Sequence, residues 1–238
     1  METQIQIGDI SVDVVLKDIK NIHLSVYPPN GRVRISAPLR MDMDTIRVFA
    51  ISKLGWIKQQ QRKLREQERE TRREYLERES HYVWGKRYLL EVIEANEAPS
   101  VELKHHQIIL QVRPGADEEK RQSVIEKWYR LELKSSISLL IAKWEPRMGV
   151  EVERFFVQRM KTKWGSCNTT RNSIRLNTEL AKKPPECLEY IVVHEMAHML
   201  VSTHNKSFVA LMYHHLPNWR ILRDELNRAP LGHVDWEY

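Results

Sequence analysis

The stretch YIVVHEMAHMLVSTHNKSF, residues 190–208, constrains the fold more than any other part of the chain. Its many apolar residues predict a buried helix, yet that helix also carries two histidines and a glutamate. Residues four apart lie on one face of a helix, so His194 and His198 can direct two ring nitrogens at one point. Burying such groups without partners costs free energy, and a metal ion provides a partner. The stretch therefore predicts a buried helix that binds a metal ion.

Glu195 directly follows the first of these histidines and lies about 100° around the helix from it. This offset places its carboxylate beside the metal rather than on it. A carboxylate in that position can accept a proton from a water molecule that the metal activates. Glu195 is therefore the candidate general base. One Zn²⁺ is the expected ion, although imidazoles also accept manganese, nickel and iron.

A catalytic zinc needs a third protein ligand and a position left open for water or substrate. His204 follows His198 at the spacing of the H-E-x-x-H-x-x-G-x-x-H pattern, which makes it the favoured third ligand. Val201 stands where that pattern has glycine, so the chain must return to the metal by another path. Asn205 can then cap a following helix. The alternative third ligands lie farther along the chain: Asp224, Glu225, His214 and His215.

The remaining sequence predicts an α+β protein. Apolar and polar residues alternate in 10–18, 21–28 and 32–38, which predicts strands joined in an antiparallel hairpin sheet. The following segment, 43–80, has helical spacing at first and becomes almost wholly charged beyond Ile57. Its mixed signs favour a long solvated helix with Glu/Arg pairs over a basic arm for nucleic acid.

The second part of the chain alternates between strands and helices. The segments 87–95 and 100–112 are rich in branched residues and predict strands, and 117–149 predicts a long amphipathic helix. A strand over 172–180 precedes the histidine helix, which begins at Pro184-Pro185. We see no internal repeat. We predict two regions, of which 1–80 contains the hairpin sheet and charged helix and 81–238 contains the metal site.

The composition and charge of the chain limit the ligands and the cell compartment that we expect for it. The 238 residues have a formal net charge of +6 and only 8 glycines, with no glycine-rich nucleotide loop. The basic excess permits binding to nucleic acid but does not establish it. The first residues do not predict a signal peptide, and no apolar run approaches the ~18 residues of a membrane span. Cys167 and Cys187 fit free thiols in a reducing compartment. We therefore expect a cytoplasmic protein with no membrane partner.

Three motifs of the chain resemble the YgjP-like (WLM/SprT-related) zinc metallopeptidase family of the zincin superfamily: RMKTKWGSC, NSIRLNTEL and HEMAHMLVSTHNKSF. The N-terminal segments IHLSVYPPNGRVRISAP and FAISKLGWI also resemble that family, so the resemblance covers nearly the whole chain. It implies a zincin-like C-terminal catalytic domain. It further implies that His194, His198 and His204 bind zinc and that Glu195 is the catalytic glutamate.

The resemblance also implies that the segment WGSC, residues 164–167, lies close to the site. Trp164 can either shape the substrate cleft or pack in the core, and Cys167 is a further alternative metal ligand. By analogy with zincins, the strand 172–180 would be an edge strand to which a peptide adds through main-chain hydrogen bonds. The expected substrate contacts are Trp164, Lys163, Arg175 and Asn177.

Together these features predict a zinc-dependent hydrolase, with a peptide or protein as the favoured substrate. Two alternatives stay open. Some members of the family are described as nucleoside triphosphate pyrophosphatases, and a basic cleft could bind a triphosphate through Lys161, Lys163, Arg171 and Arg175. SprT-like relatives act on proteins attached to DNA, so the chain could also be a nucleic-acid-associated module with a structural zinc.

Overall fold

The computed structural model describes residues 2–27, 31–66, 74–160 and 163–228. The chain divides into two compact units, Met1–Arg69 and Glu70–Tyr238. Within the described residues there are eleven strands in three sheets, together with six α-helices. The predicted α+β class is therefore confirmed.

The first unit contains one four-stranded sheet followed by two helices. Its elements are β1 (Glu2–Ile7), β2 (Ile10–Lys17), β3 (His23–Tyr27), β4 (Arg32–Pro38), α1 (Met43–Ser52) and α2 (Leu54–Glu66). The strands lie in the order β1-β2-β4-β3. Its core is a separate cluster of buried apolar side chains that includes residues of the sheet and of both helices.

The prediction that this sheet is antiparallel was wrong for its central pair. The two hairpins are antiparallel, but β2 and β4 pair in parallel. Strand β4 buries Val33, Ile35 and Ala37 almost completely, whereas β3 is only half-buried. The more apolar strand therefore lies in the centre and β3 lies at the edge. Local alternation predicts the hairpins but not which strand enters the middle of the sheet.

The predicted charged helix over 43–80 is only partly described. Helix α1 ends at Ser52, Lys53 is its C-cap, and α2 continues from Leu54 to Glu66. Residues 67–73 lie outside the described part of the chain, and residues 74–79 are not helical. One continuous helix over the whole segment is therefore not confirmed.

The second unit contains seven strands, a 3₁₀-helix and four α-helices within its described residues. The first elements are β5 (Ser80–Val83), β6 (Lys86–Glu94), β7 (Ser100–Lys104), β8 (Gln107–Val112) and α3 (Glu118–Met148). The others are β9 (Arg154–Gln158), β10 (Gly165–Asn168), β11 (Ser173–Asn177), a 3₁₀-helix (Thr178–Lys182), α4 (Pro185–Leu200), α5 (Lys206–His215) and α6 (Trp219–Arg228). Three of these, β9 to β11, form a sheet of their own.

The first sheet of this unit has the same strand order as the sheet of the first unit. Its order is β5-β6-β8-β7, with two antiparallel hairpins and a parallel central pair. A helix follows each of the two sheets in the chain. The sequence predicted one strand over 100–112, but the chain turns back at His105, whose φ is 43°. The shared topology is a structural repeat that the sequence does not reveal.

Helix α3 confirms the helix predicted over 117–149 and supports the histidine helix α4. Asp117 caps its first turn by accepting a hydrogen bond from the Lys120 N–H, and Gly149 ends it in the left-handed conformation. Trp144 of α3 donates its Nε1–H to Glu189 of α4 at 2.9 Å. Of the helices that the structure describes, none has the length and apolar character of a membrane span.

Candidate metal centre

Helix α4 is buried on most of its surface, as the sequence predicts. It begins with Pro185, and proline suits a first helical position because the N–H at that position has no intrahelical acceptor. The side chains around its motif are inaccessible to solvent: Val192, Val193, Met196 and Ala197. This packing fixes the backbone from which the histidines and Glu195 project.

The three predicted histidines come together at the end of this helix. One ring nitrogen from each of His194, His198 and His204 lies within 4.8 Å of the other two. The Nε2 atoms of His194 and His204 are 3.1 Å apart. Among the described residues no other group of three or more His, Cys, Asp or Glu side chains is arranged to hold a metal ion. The alternative ligands Asp224, Glu225, His214, His215 and Cys167 are therefore not part of the group.

The path to His204 does not require the glycine of the longer pattern. Val201 has φ −137° and ψ 103°, an extended conformation that suits a β-branched residue. The chain turns after it, and the N–H of Asn205 donates to the carbonyl of Thr203 at 2.8 Å. Asn205 then caps α5 by accepting a hydrogen bond from the N–H of Phe208. His204 thus stands immediately before a capped helix, which fixes its backbone.

Phe208 is a residue of the site that the sequence interpretation missed. Its side chain is 1% exposed, and its ring centroid lies 4.7–5.0 Å from those of all three histidines. One aromatic ring therefore packs against all three imidazoles. The signal was present in the sequence as the first aromatic residue after the Asn205 cap, on the turn that faces back to α4.

The donor set fits a divalent transition metal. The Nδ1 of His198 lies 3.3 Å from the carbonyl oxygen of Val201, which can only accept, so Nδ1 carries the proton and Nε2 is free to bind a metal. Burial lowers the pKa of His194 to about 4, and the charges of His198 and His204 add to this effect. Burial also lowers the pKa of His198. Metal binding requires neutral imidazoles, and burial favours the neutral form of His194 and His198.

Glu195 directly follows His194 in α4, and its side chain is protected from solvent. Its side chain is 5% exposed. Burial raises the pKa of its carboxyl group to about 7, while the positive charge of Lys163 acts in the opposite direction. Strand β10 packs against α4. A buried carboxylate on the helix that also carries two of the three imidazoles suits metal-assisted acid–base chemistry.

The prediction of an edge strand over 172–180 was wrong. The strand there, β11, is shorter and lies in the centre of its sheet, antiparallel to β10 and parallel to β9. Residues 178–182 form the 3₁₀-helix instead. The edge strand that packs against α4 is β10. Its four residues, GSCN, show no apolar alternation, so the sequence did not predict a strand there.

Arg175, a predicted substrate contact, projects from the sheet face opposite to the contact between Gly165 and Glu195, and its contact with substrate stays a prediction. Gly165 of β10 pairs with Leu176 of β11, and paired residues share one face of a sheet. Leu176 is buried in the core that includes α4. Arg175 is its neighbour in the strand and therefore projects from the opposite face. There its guanidinium lies 5.5 Å from the centre of the Phe156 ring, which is 43% exposed.

Asn177 is the second predicted substrate contact on this strand, and its side chain forms hydrogen bonds with main-chain groups. Its side chain is 4% exposed, and its Nδ2 donates to the carbonyls of Met160 and Lys163, each at 2.8 Å. Its Oδ1 accepts from the N–H groups of Met160 and Glu179. The amide therefore positions the backbone on both sides of the segment that leads into β10.

We expect Asn177→Ala to lower the free energy of unfolding by about 3 kcal/mol, because it leaves several buried main-chain groups without partners. Urea denaturation measures this loss. Asn168→Ala is the matched control, since among the described residues the Asn168 side chain forms one hydrogen bond, which it accepts from the Arg171 N–H at 3.0 Å in an exposed turn. Equal losses for the two variants would contradict the structural role of Asn177.

The other two predicted substrate contacts flank the site. Lys163 is exposed, and its charge acts on Glu195. Trp164 is half-buried against the core, with the Lys183 ammonium 6.0 Å from its ring centre. Their contact with substrate stays a prediction.

Three imidazoles around one point, and a buried carboxylate on the helix that carries two of them, define a candidate metallohydrolase site. Residues 20–229 match the family described as YgjP-like, metallopeptidase domain. Because this match spans most of the chain, the chain belongs to that family. Metal-dependent peptidase chemistry is the activity that this membership supports.

No curated protein matches the chain. Among solved structures, it is similar to the metallopeptidase zymogen abylysin of Pyrococcus abyssi, at 19% identity and a TM-score of 0.36, over 38% of this chain and 90% of that one. It is also similar to the metallopeptidase zymogen jannalysin of Methanocaldococcus jannaschii, at 17% identity and a TM-score of 0.33. That match covers 40% of this chain and 92% of the other.

Proposed function

We propose that this chain is a zinc-dependent peptidase in which His194, His198 and His204 hold one zinc ion and Glu195 is the general base. The proposal depends chiefly on the convergence of three imidazole nitrogens within 4.8 Å, with Glu195 on the same helix. The proton on Nδ1 of His198 leaves its Nε2 free for a metal. Three neutral nitrogen donors are a usual ligand set for catalytic zinc.

The bound zinc would supply Lewis-acid chemistry, by polarising the scissile carbonyl and making water more acidic. Glu195 accepts a proton from the attacking water as the new C–O bond forms. It then donates that proton to the nitrogen of the leaving amine as the C–N bond breaks. Since Glu195 is almost completely buried, bulk water does not compete for this proton.

The position of β10 in its sheet supports substrate binding along this strand. Strand β10 lies at the sheet edge and packs against the helix that carries Glu195. An extended peptide can add to such an edge through main-chain hydrogen bonds, largely independently of its side chains. Trp164 and Lys163 directly precede this strand and are the side chains we expect to contact the peptide.

The position of Arg175 disfavours nucleotide hydrolysis. Arg175 projects from the sheet face opposite to Glu195, and Arg171 lies in the turn at the far end of the β10–β11 hairpin. Lys161 lies outside the described residues. Of the four predicted triphosphate contacts, Lys163 alone lies near the site among the described residues. A purely structural zinc is also disfavoured, since such sites normally have four protein ligands.

The proposed activity can be tested with the full chain loaded with zinc. We expect cleavage of an unfolded protein or a mixed peptide library, detected by mass spectrometry of the products. A chelator should abolish this cleavage, and added zinc should restore it. The same preparation is incubated with nucleoside triphosphates and assayed for pyrophosphate. Release of pyrophosphate without any peptide cleavage would replace the proposed function with the alternative one.

A further inference from the structure

Gly165, the first residue of β10, lies directly against the Glu195 carboxylate. A Cβ atom built on Gly165 would be 2.5 Å from Oε1 of Glu195, 2.8 Å from its Cγ and 2.9 Å from its Cδ. These separations are well below the 3.5–4.0 Å at which non-bonded carbon atoms normally pack. The space that a side chain would occupy at position 165 is therefore filled by Glu195.

Backbone conformation does not explain this glycine. Five of the other described glycines have a positive φ, which side chains rarely adopt: Gly8, Gly31, Gly85, Gly115 and Gly149. Gly165 is not among them, so its backbone would accept any residue. Gly55 also lacks a positive φ, but a Cβ there would meet open space. Only the close approach of Glu195 accounts for a glycine at position 165.

The strand and the helix on either side of this contact are both held in place. Gly165 pairs with Leu176, and the carbonyl of the preceding Trp164 accepts a hydrogen bond from the Asn177 N–H at 2.9 Å. On the other side, Val193 and Met196 of α4, close to Glu195 in the sequence, are buried in the core. Neither backbone can retreat easily, so an added side chain must displace the carboxylate.

We propose that Gly165 is a positioning residue, whose missing side chain forms the slot that holds the Glu195 carboxylate beside the three histidines. Residues 165 and 167 lie on the same face of β10, so the half-buried Cys167 extends the wall of this slot. Forming this slot would be the role of the WGSC segment, in addition to the earlier alternatives of metal binding by Cys167 and core packing by Trp164. The functional part of this inference depends on the proposed role of Glu195 as general base.

A thermal unfolding cycle tests the slot without reference to any substrate. We expect Gly165→Ala to lower the melting temperature of the zinc-loaded protein by about 5 °C, because the Cβ overpacks the slot. In a Glu195→Ala background, where the side chain that fills the slot is gone, Gly165→Ala should cost almost nothing. If Gly165→Ala fails to fold alone, the double variant should fold as well as Glu195→Ala. An equal loss of melting temperature in both backgrounds would overturn the proposal.

Kinetics test the positioning role. Displacing a catalytic group by about 1 Å can cost about 100-fold in rate, so we expect Gly165→Ala to lower kcat by that order. KM and the zinc dissociation constant should change less than about threefold, because the substitution alters neither the three histidines nor the main-chain N–H and C=O groups of β10. Gly55→Ala is the control and should keep the kcat of the unaltered protein. A kcat for Gly165→Ala within about threefold of that value would also overturn the proposal.

The two tests separate this inference from the proposed function. The melting temperatures report the packing of Gly165 on Glu195, and this result does not depend on which substrate the protein hydrolyses. One outcome is that Gly165→Ala lowers the melting temperature only when Glu195 is present, while the unaltered protein cleaves no peptide. That outcome would support the slot and reject the proposed peptidase activity. The converse outcome is that the unaltered protein cleaves peptides but Gly165→Ala lowers the melting temperature equally in both backgrounds. That outcome would support the peptidase activity and reject the slot.

Discussion

Glu195→Gln is expected to keep its zinc and to lose at least about 100-fold in kcat, the lower range of what a general base contributes. The glutamine amide has almost the same size as the carboxylate, so it should fit beside Gly165 without new clashes. It cannot accept a proton from water at neutral pH. Elemental analysis of the purified variant measures the zinc, and peptide cleavage at saturating substrate measures kcat.

Glu189→Gln is a matched control for this experiment. Glu189 lies on the same helix α4, but its Oε1 accepts hydrogen bonds from Lys143 and Trp144 of α3, away from the histidines. We expect this variant to retain both zinc and activity. If Glu195→Gln kept its activity, Glu195 would not be the general base. If it lost its zinc instead, the side chain would belong to the set of metal ligands.

Local patterns predicted the parts of the site whose residues are close together in the sequence. The apolar residues around His194 and His198 predicted a buried helix, and the spacing to His204 placed a third imidazole beside them. The Asn205 cap was also predictable, because capping depends on a side chain and an N–H group three residues later. Such interactions are set by neighbours in the sequence.

Features that depend on pairing between distant segments were not predictable in the same way. The four-residue strand β10 has no alternation and becomes a strand only because β11 provides hydrogen-bond partners. Once β10 occupies the edge, β11 becomes central, and the face on which Arg175 projects is fixed by the register with Gly165. A shift of one residue in that register would reverse the face, and no local signal specifies it.

Val201 shows why the absence of one residue from a pattern can be misleading. The glycine of the longer histidine pattern permits a left-handed turn, and its absence here predicted that the chain returns to the metal by another path. The chain uses an extended residue instead, and the Val201 carbonyl also binds the Nδ1–H of His198. A different backbone path thus meets the same requirement for a third imidazole.

His204→Ala is expected to raise the zinc dissociation constant by at least about 100-fold, since even the outer partners of metal ligands often contribute 10- to 100-fold. His204 is exposed and lies between α4 and the capped start of α5, so its removal should leave the metal-free fold intact. Competition with a chromogenic chelator measures the zinc affinity, and the melting temperature of the metal-free protein reports the fold.

The control is His214→Ala, since His214 lies on α5 but outside the group of three histidines. It should bind zinc as tightly as the unaltered protein. Unchanged zinc affinity in His204→Ala would remove this residue from the ligand set and reopen the choice of third ligand. Loss of zinc from both variants would point to a general effect on α5. Only a loss confined to His204→Ala supports the geometry in which the turn after Val201 returns an imidazole to the metal.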